Sequence, residues 1–413
     1  MAAIQRYRLC FLWLNYLSCY LKQSGIIWSL CIWILAGAKL HAATHIDTRA
    51  NAPLGQTQTN VDATAEHELE HLLASPLLMA APENFNPSLQ LPPPKPPKPS
   101  EDLSPPPPTT ETESITLPVL ESIQTDFRNN TDNFGGRNLF IEPTVQFRLA
   151  NDELLTFKTG FNYFDEPNIA SITNIPLQVG WQGKIGEVTL QTTVGVDIFD
   201  RLPTALSLAA KVDAPIAIKV SPSGQLLSGV VLSGALEQGS YKFNAQTLEN
   251  QITAWRLGPS IFWQIDPDTS LFSTLRWGSY NDGNTEWQSF SRLERQLGQF
   301  RVAANLFTWN YTSDLERTSG YFSPPDFLVY NAEVGWEGDI FEFLRCRIAA
   351  NLGQQRLRGE IDSANGYQAR CTAKISRDIE ADLGYSFSNV RNQDTGGSTY
   401  GGSSLTGQVR FSF

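Results

Sequence analysis

The chain has 413 residues, 41% of them hydrophobic and 18% charged, which is less charged than an average soluble protein and long enough for a large core. Its formal net charge of −11 argues against nucleic acid as a partner, because such a surface must neutralise phosphates with Lys and Arg. His41, His45, His67 and His71 are the four histidines of the chain, so from residue 72 onward no imidazole is available as a base or metal ligand, which disfavours serine-histidine hydrolases.

Residues 1–43 read as an address. From Leu9 to Ala38 the only charge is Lys22, and the apolar run Ile26 to Leu35 is followed by small residues, with Ala38, Ala42 or Ala43 as cleavage positions. This is the form of a secretory signal peptide, with an uncleaved N-terminal anchor as the alternative. No later stretch reaches the roughly 18–20 apolar residues that a spanning helix needs.

Residues 44–117 read as a disordered, proline-rich periplasmic spacer. Leu91 to Pro108 holds ten prolines in eighteen residues, and a polyproline II rod of that length extends roughly 55 Å at about 3.1 Å per residue. Within this segment His67-Glu68-Leu69-Glu70-His71 satisfies both HExxH and HxxEH. The double match reflects a short Glu/His run; Pro76 ends any helix soon after it, and no later histidine completes a three-histidine site. A short solvated or amphipathic helix is the reading, and no metal or catalytic residue is assigned.

From residue 118 to 413 the period is two. Leu405, Gly407, Val409, Phe411 and Phe413 share one face, with Thr406, Gln408, Arg410 and Ser412 on the other. Ile379 to Ser388, Tyr367 to Ser376, Val188 to Ile198, Leu139 to Leu149 and Ile175 to Ile185 repeat the alternation. Soluble sandwich strands usually run five or six residues, whereas segments of about ten suit tilted strands that cross a bilayer. The expected fold is all-β, a transmembrane antiparallel barrel of about 16 strands with 18 as the alternative. Eighteen segments can be counted, but the pieces between Pro203 and Gln251, read as 204–212, 215–221, 225–237 and 240–247, are the weakest, and two of them are expected to be loop. Short turns such as Asp266-Pro267-Asp268 and Glu337-Gly338-Asp339 alternate with longer loops at 165–171, 281–285, 312–323, 359–366 and 389–402. Short periplasmic turns and longer outer loops are the habit of outer-membrane barrels. Trp255, Trp263, Trp277, Tyr280, Trp309, Tyr311 and Trp336 fall toward segment ends, the placement of an interfacial girdle. Cys346 and Cys371 could be bridged in an oxidising compartment, but small apolar fillers are the preferred reading.

Phe413, closing an alternating strand, resembles the C-terminal assembly signature of bacterial outer-membrane barrels, which implies insertion by the barrel assembly machinery into outer-membrane lipid. The segment Gly320-Tyr321-Phe322-Ser323-Pro324-Pro325-Asp326-Phe327-Leu328 resembles the Tyr-x-Ser-Pro segment in the C-terminal barrel of the bacterial cellulose-export subunit, and less closely other exopolysaccharide-export barrels. Tyr321, Phe322, Ser323 and Pro324 carry that likeness, which runs from Gly320 to about Val390. The chain departs from that family in having a proline-rich rod where the family has a tetratricopeptide array. The resemblance thus implies the pore role, without the scaffold.

By the alternation, Glu333, Arg345, Arg347, Arg370, Lys374, Glu380, Asp382 and Arg410 are the candidate lumen-facing residues. Mixed charge with hydroxyls and amides suits a hydrated sugar better than a like-charge ring, which selects ions. The expectation is an outer-membrane pore passing a hydrated solute, with exopolysaccharide export favoured. A general diffusion porin, and a structural or adhesive barrel tethered through the spacer to the cell wall or a periplasmic partner, are the alternatives. Neither enzymatic activity nor a cofactor is expected.

Overall fold

A computed structural model describes residues 118–149, 153–221, 226–390 and 401–413. The signal segment, the proline-rich spacer and the His67–His71 run lie outside the described residues.

The strands are β1 (Val119–Asp132), β2 (Arg137–Arg148), β3 (Leu154–Thr159), β4 (Phe161–Glu166), β5 (Ile169–Ile185), β6 (Val188–Phe199), β7 (Ala205–Val220), β8 (Leu226–Ser240) and β9 (Thr253–Asp266). They continue with β10 (Thr269–Tyr280), β11 (Thr285–Leu297), β12 (Phe300–Tyr311), β13 (Phe327–Phe341), β14 (Leu344–Leu357), β15 (Glu360–Lys374), β16 (Ile379–Ser388) and β17 (Gly402–Ser412). Two short helices, α1 (Ala245–Glu249) and α2 (Glu316–Ser319), sit in connections. Among the described residues no helix is long and apolar enough to cross a membrane.

β3 and β4 are halves of one strand. Both pair with β2 on one side and β5 on the other, and they part at Gly160, where a Cβ would lie 2.7 Å from the Ile141 carbonyl oxygen. Counted so, sixteen antiparallel strands form one sheet. It closes where β1 pairs with β17, from Ser122↔Ser412 to Asp132↔Gly402, so no edge is left to solvent or lipid.

The two surplus segments of the sequence reading are accounted for between β7 and β9. Segments 204–212 and 215–221 run together as β7, with a register irregularity between Pro215 and Ala217 where the proline has no N–H to give the ladder. Segment 240–247 is not a strand; beyond Ser240 the chain turns away into α1. The longer loop expected at 359–366 is also corrected: β15 starts at Glu360 and the connection is Arg358–Gly359, both with positive φ.

The alternation sorts side chains as the pleat requires. Ile175, Leu177 and Val179 on β5, Leu206 and Leu208 on β7, and Val334 on β13 are exposed on the outer face, an apolar band of the kind found on membrane-spanning barrels. Their neighbours on the other face are buried and polar, among them Asn174, Glu333 and Glu337. Cys346 and Cys371 stand opposite each other on β14 and β15 and are joined by a disulfide, with Cα atoms 4.1 Å apart. This corrects the filler reading: cross-strand register delivers the two sulfurs to one another, which the 25-residue spacing alone could not reveal.

Candidate functional site

The interior is built from the polar side of the alternation. On β11 to β14 it forms a continuous ionic network. Arg292 donates to Glu294 at 2.6 Å and to Glu333 at 2.7 Å. Glu294 also accepts from Arg301 at 2.9 Å and Arg347 at 3.3 Å. Arg301 reaches on to Glu337 at 2.5 Å, and Arg345 meets the same carboxylate at 3.1 Å. Across β15 and β16 Arg370 binds Asp382 at 2.7 Å, and the Thr372 hydroxyl donates to Asp382 at 2.9 Å. Glu380 stands in register with Lys374 on one side and Arg410 on the other.

Of the residues singled out in the sequence, Glu333, Arg345 and Arg347 therefore belong to one network, Arg370 and Asp382 form a second group, and Lys374, Glu380 and Arg410 form a cross-strand row. Sequence reasoning missed Arg292, Glu294 and Arg301, although each shares the parity of its strand's polar face. Hydroxyls and amides continue the wall. Asn162 donates to Asn174 at 3.0 Å, Asn305 to Asn331 at 2.8 Å, and Gln408 to Asp126 at 2.7 Å. Opposite charges answer each other at contact distance, so the wall presents neutralised pairs and amides rather than a ring of one sign.

At the end that carries the longer connections, two of them turn into the interior. The connection 241–252 between β8 and β9 and the connection 312–326 between β12 and β13 both fold inward. Tyr241, Phe243, Ala245, Leu248 and Ile252 are buried, as are Tyr321 and Phe322. The first connection crosses the interior. Asn138 on β2, five strands from β8 with β3 and β4 counted as one, donates to the Phe243 carbonyl at 2.9 Å. Lys242 pairs with Asp197 on β6 at 2.8 Å, and Asp197 also accepts from Asn174 at 3.2 Å. Ala245 and Leu248 pack with Phe140, Phe164 and Ile172 of the far wall. Local sequence shapes this segment: the Asn244 side chain accepts from the Thr247 N–H at 2.8 Å and caps α1.

The second connection locks onto the first. Asn244 donates to the Gly320 carbonyl at 2.7 Å and Asn250 to the Thr318 carbonyl at 3.0 Å. Gly320 has φ of +84°, and a Cβ there would meet Gln246 Cγ at 2.6 Å, so both backbone and packing demand glycine. Tyr321 stacks on Tyr280 with centroids 5.1 Å apart and meets Tyr241 edge-on at 5.3 Å. Its hydroxyl donates to Asp282 at 2.9 Å and accepts from Asn284 at 3.1 Å. Phe322 sits 5.6 Å from Trp309 and 5.3 Å from Phe327. The Ser323 hydroxyl accepts from the Leu315 N–H at 2.7 Å, and the Pro324 carbonyl from the Tyr311 N–H at 2.8 Å. Burial pushes the Tyr241 phenol up to about 12 and raises that of Tyr321 as well, so both stay neutral in any physiological buffer.

Beneath the loops lies a buried carboxylate. Glu286 accepts from Arg276 at 2.8 Å, Tyr280 at 2.8 Å, Trp309 at 3.0 Å and Tyr311 at 2.6 Å. Tyr280, Trp309 and Tyr311 thus face inward and are buried, which corrects their placement in a girdle. They share parity with Arg276, Asn305 and Arg301, and that signal would have put them inside. Trp255, Trp263 and Trp287 are the exposed outward tryptophans. Phe413 extends the closing seam, its N–H donating to the Glu121 carbonyl at 3.0 Å.

A closed barrel with an apolar outer band and a polar interior is the architecture of bacterial outer-membrane β-barrel proteins. No family model matches the sequence and no curated protein matches it either. In fold, the chain is similar to a bacterial polysaccharide outer membrane secretin, with a TM-score of 0.59 and 10% identity over 72% of this chain and 100% of that one. It also matches CdiB from Acinetobacter baumannii (TM-score 0.44, 11% identity, 70% of this chain and 60% of that chain). The outer membrane protein OprD from Pseudomonas aeruginosa gives a TM-score of 0.37 at 10% identity over 71% and 94% of the two chains.

Proposed function

We propose that this protein is an outer-membrane conduit for a hydrated, uncharged solute, held shut at its outer end by its own loops, and that the solute is an exopolysaccharide moving outward. The observation that carries the reading is the interlocked pair of inward loops above a charge-balanced polar wall. A diffusion porin for ions needs a standing aperture; here two buried connections span the interior from β2 and β6 to β9 and β12. A paired and amide-rich wall exchanges hydrogen bonds with sugar hydroxyls and offers no net field to an ion. The Tyr321–Pro324 segment, which carries the likeness to exopolysaccharide-export barrels, lies within the closing loops, as a gating element would. The proline-rich segment then serves as the periplasmic spacer toward a synthase-side or cell-wall partner.

The test pairs electrophysiology with genetics. Full-length protein in a planar bilayer should open rarely, and a variant in which 241–252 is replaced by a short Gly-Ser turn should show large steady steps. Deleting the gene should block secretion of the host's exopolysaccharide. A wild-type channel that stands open, together with unchanged polymer and reduced uptake of small solutes, would instead identify a diffusion porin.

A further inference from the structure

Apart from the patch of Phe140, Phe164 and Ile172 under α1, the inner face carries its apolar rings as one continuous run. Phe262 on β9 and Phe272 on β10 are register partners, both on the inner face and both half-buried. The Phe272 ring lies 6.2 Å from that of Phe290 on β11. Phe290 is the register partner of Phe307 on β12, whose ring is 6.0 Å from Trp309. Trp309 in turn touches Phe322 of the closing loop at 5.6 Å. The rings therefore climb diagonally across four strands. They start beside the short Pro267–Asp268 turn, at the end of the barrel that holds the chain's N-terminal side, and finish under the loops.

Core filling explains the upper members, which are buried among other rings. It does not explain the open parts of Phe262, which stands beside the buried Val231, and of Phe272, which edges the ring cluster, in a wall whose other neighbours are Ser260, Gln264, Ser270 and Arg292. A second observation points the same way. Gln288, on the inner face next to Phe290 and in register with Arg276 and Trp309, is only 6% exposed. Its amide Nε2 nevertheless has no hydrogen-bond partner among the described residues. A buried donor without an acceptor is destabilising, and it calls for an absent partner.

Flat apolar faces flanked by amide donors match one chemistry. A pyranose ring is apolar on the face that carries its axial C–H bonds and polar around its rim. It can lie on an aromatic face while its hydroxyls meet amides. A charged chain would be attracted or repelled by isolated wall charges, and here these are already paired. We propose that Phe262 and Phe272 form a stacking track for the pyranose rings of a neutral glycan, leading it toward Phe290 and the Gln288 amide, which are buried beneath the closed loops and become reachable when these withdraw. This rests on the conduit reading and names the class of its cargo.

Cellohexaose is the probe, added to the full-length chain in lipid nanodiscs and followed by saturation-transfer-difference NMR and by titration. The wild type should transfer saturation to the axial ring protons of the sugar. The double variant Phe262→Leu/Phe272→Leu keeps bulk and apolarity while losing the aromatic faces, so a filler role would survive it. A stacking role would not, and binding should weaken about tenfold. Gln288→Ala should weaken it severalfold in the variant whose 241–252 connection is replaced by a short Gly-Ser turn. Heat-modifiable gel mobility checks that each variant is folded, and Phe272→Tyr, which retains the ring, should bind as the wild type does. Equal binding by the Leu variant overturns the track, as does absence of binding by the wild type. If deleting the gene leaves polymer secretion intact while cellohexaose still binds through these rings, the conduit reading fails and the sugar track stands.

Discussion

Replacing Lys242 by Met tests whether the inner loops are a gate. Lys242 reaches from the 241–252 connection to Asp197 on β6, two strands from β8, at 2.8 Å. Asp197 is 1% exposed, and besides Lys242 it has the Asn174 amide at 3.2 Å. Met keeps the length and apolar stem of the lysine and removes its charge, so packing is little changed and Asp197 is left buried and uncompensated. Breaking a buried pair in this manner costs about 3–5 kcal/mol. The penalty applies to the closed arrangement, because withdrawal of the loop lets water reach Asp197. At 1.4 kcal/mol per tenfold change, the ratio of open to closed should rise by about two to three and a half powers of ten. Single-channel recording of the full-length chain reads this directly as open probability. The second variant is Lys242→Met with Asp197→Asn. It removes both charges, leaves no ion stranded, and should return open probability to within about tenfold of the wild type. A Lys242→Met channel as quiet as the wild type would refute the gate, and so would a double variant as open as the single one.

Gly320→Val should also loosen the loops, since a branched residue at φ +84° is strained by roughly 1–3 kcal/mol and its Cβ would press on Gln246. Open probability should rise about 10- to 100-fold at unchanged heat-modifiable mobility, and an unaltered channel would mean that the Gly320–Asn244 contact does not hold the closure. Val334→Arg probes the facing of β13: Val334 is 59% exposed on the outer face, and a charge there should cost about 2–4 kcal/mol if that face meets lipid. The expected readout is a lower denaturant midpoint for the barrel, and a neutral effect would count against the assigned inner and outer faces. Cys346→Ser should lower the thermal transition, because the bridge closes a 25-residue span, worth about 3–4 kcal/mol by loop entropy. Reductant should shift the wild type to the same extent and leave the variant unmoved. A wild type that is insensitive to reductant would deny the bridge a stabilising role.

The barrel was legible in the sequence because its constraint is local. A strand that separates lipid from a wet interior must alternate at every residue, and that pattern survives at Leu405 to Phe413 without knowledge of any neighbour. The number of strands was legible except where alternation breaks for a physical reason. Pro215 interrupts the ladder inside β7 without ending it, and Tyr241 to Phe243 alternates briefly as a strand would before Asn244 caps α1. What could not be read locally was which pairs of residues meet across the interior. Lys242 and Asp197, or Tyr241 and Tyr321, come together because the connections fold inward over the curved wall, and nothing in their own segments marks them.

The inward aromatics lie between these cases. Closeness to strand ends points Tyr280, Trp309 and Tyr311 to the interface, yet each shares its face with an arginine or an asparagine. Distance along a strand fixes depth, and parity fixes side; for an aromatic residue only the second separates a lipid anchor from a wall residue. Applied strictly, parity also assigns Phe262, Phe272 and Phe290 to the inside, against the preference of apolar rings for lipid. An apolar ring on a wall otherwise built of ion pairs and amides sits where neither lipid nor water best satisfies it, and a sugar face, apolar in the middle and polar at the rim, satisfies both it and the amide beside it.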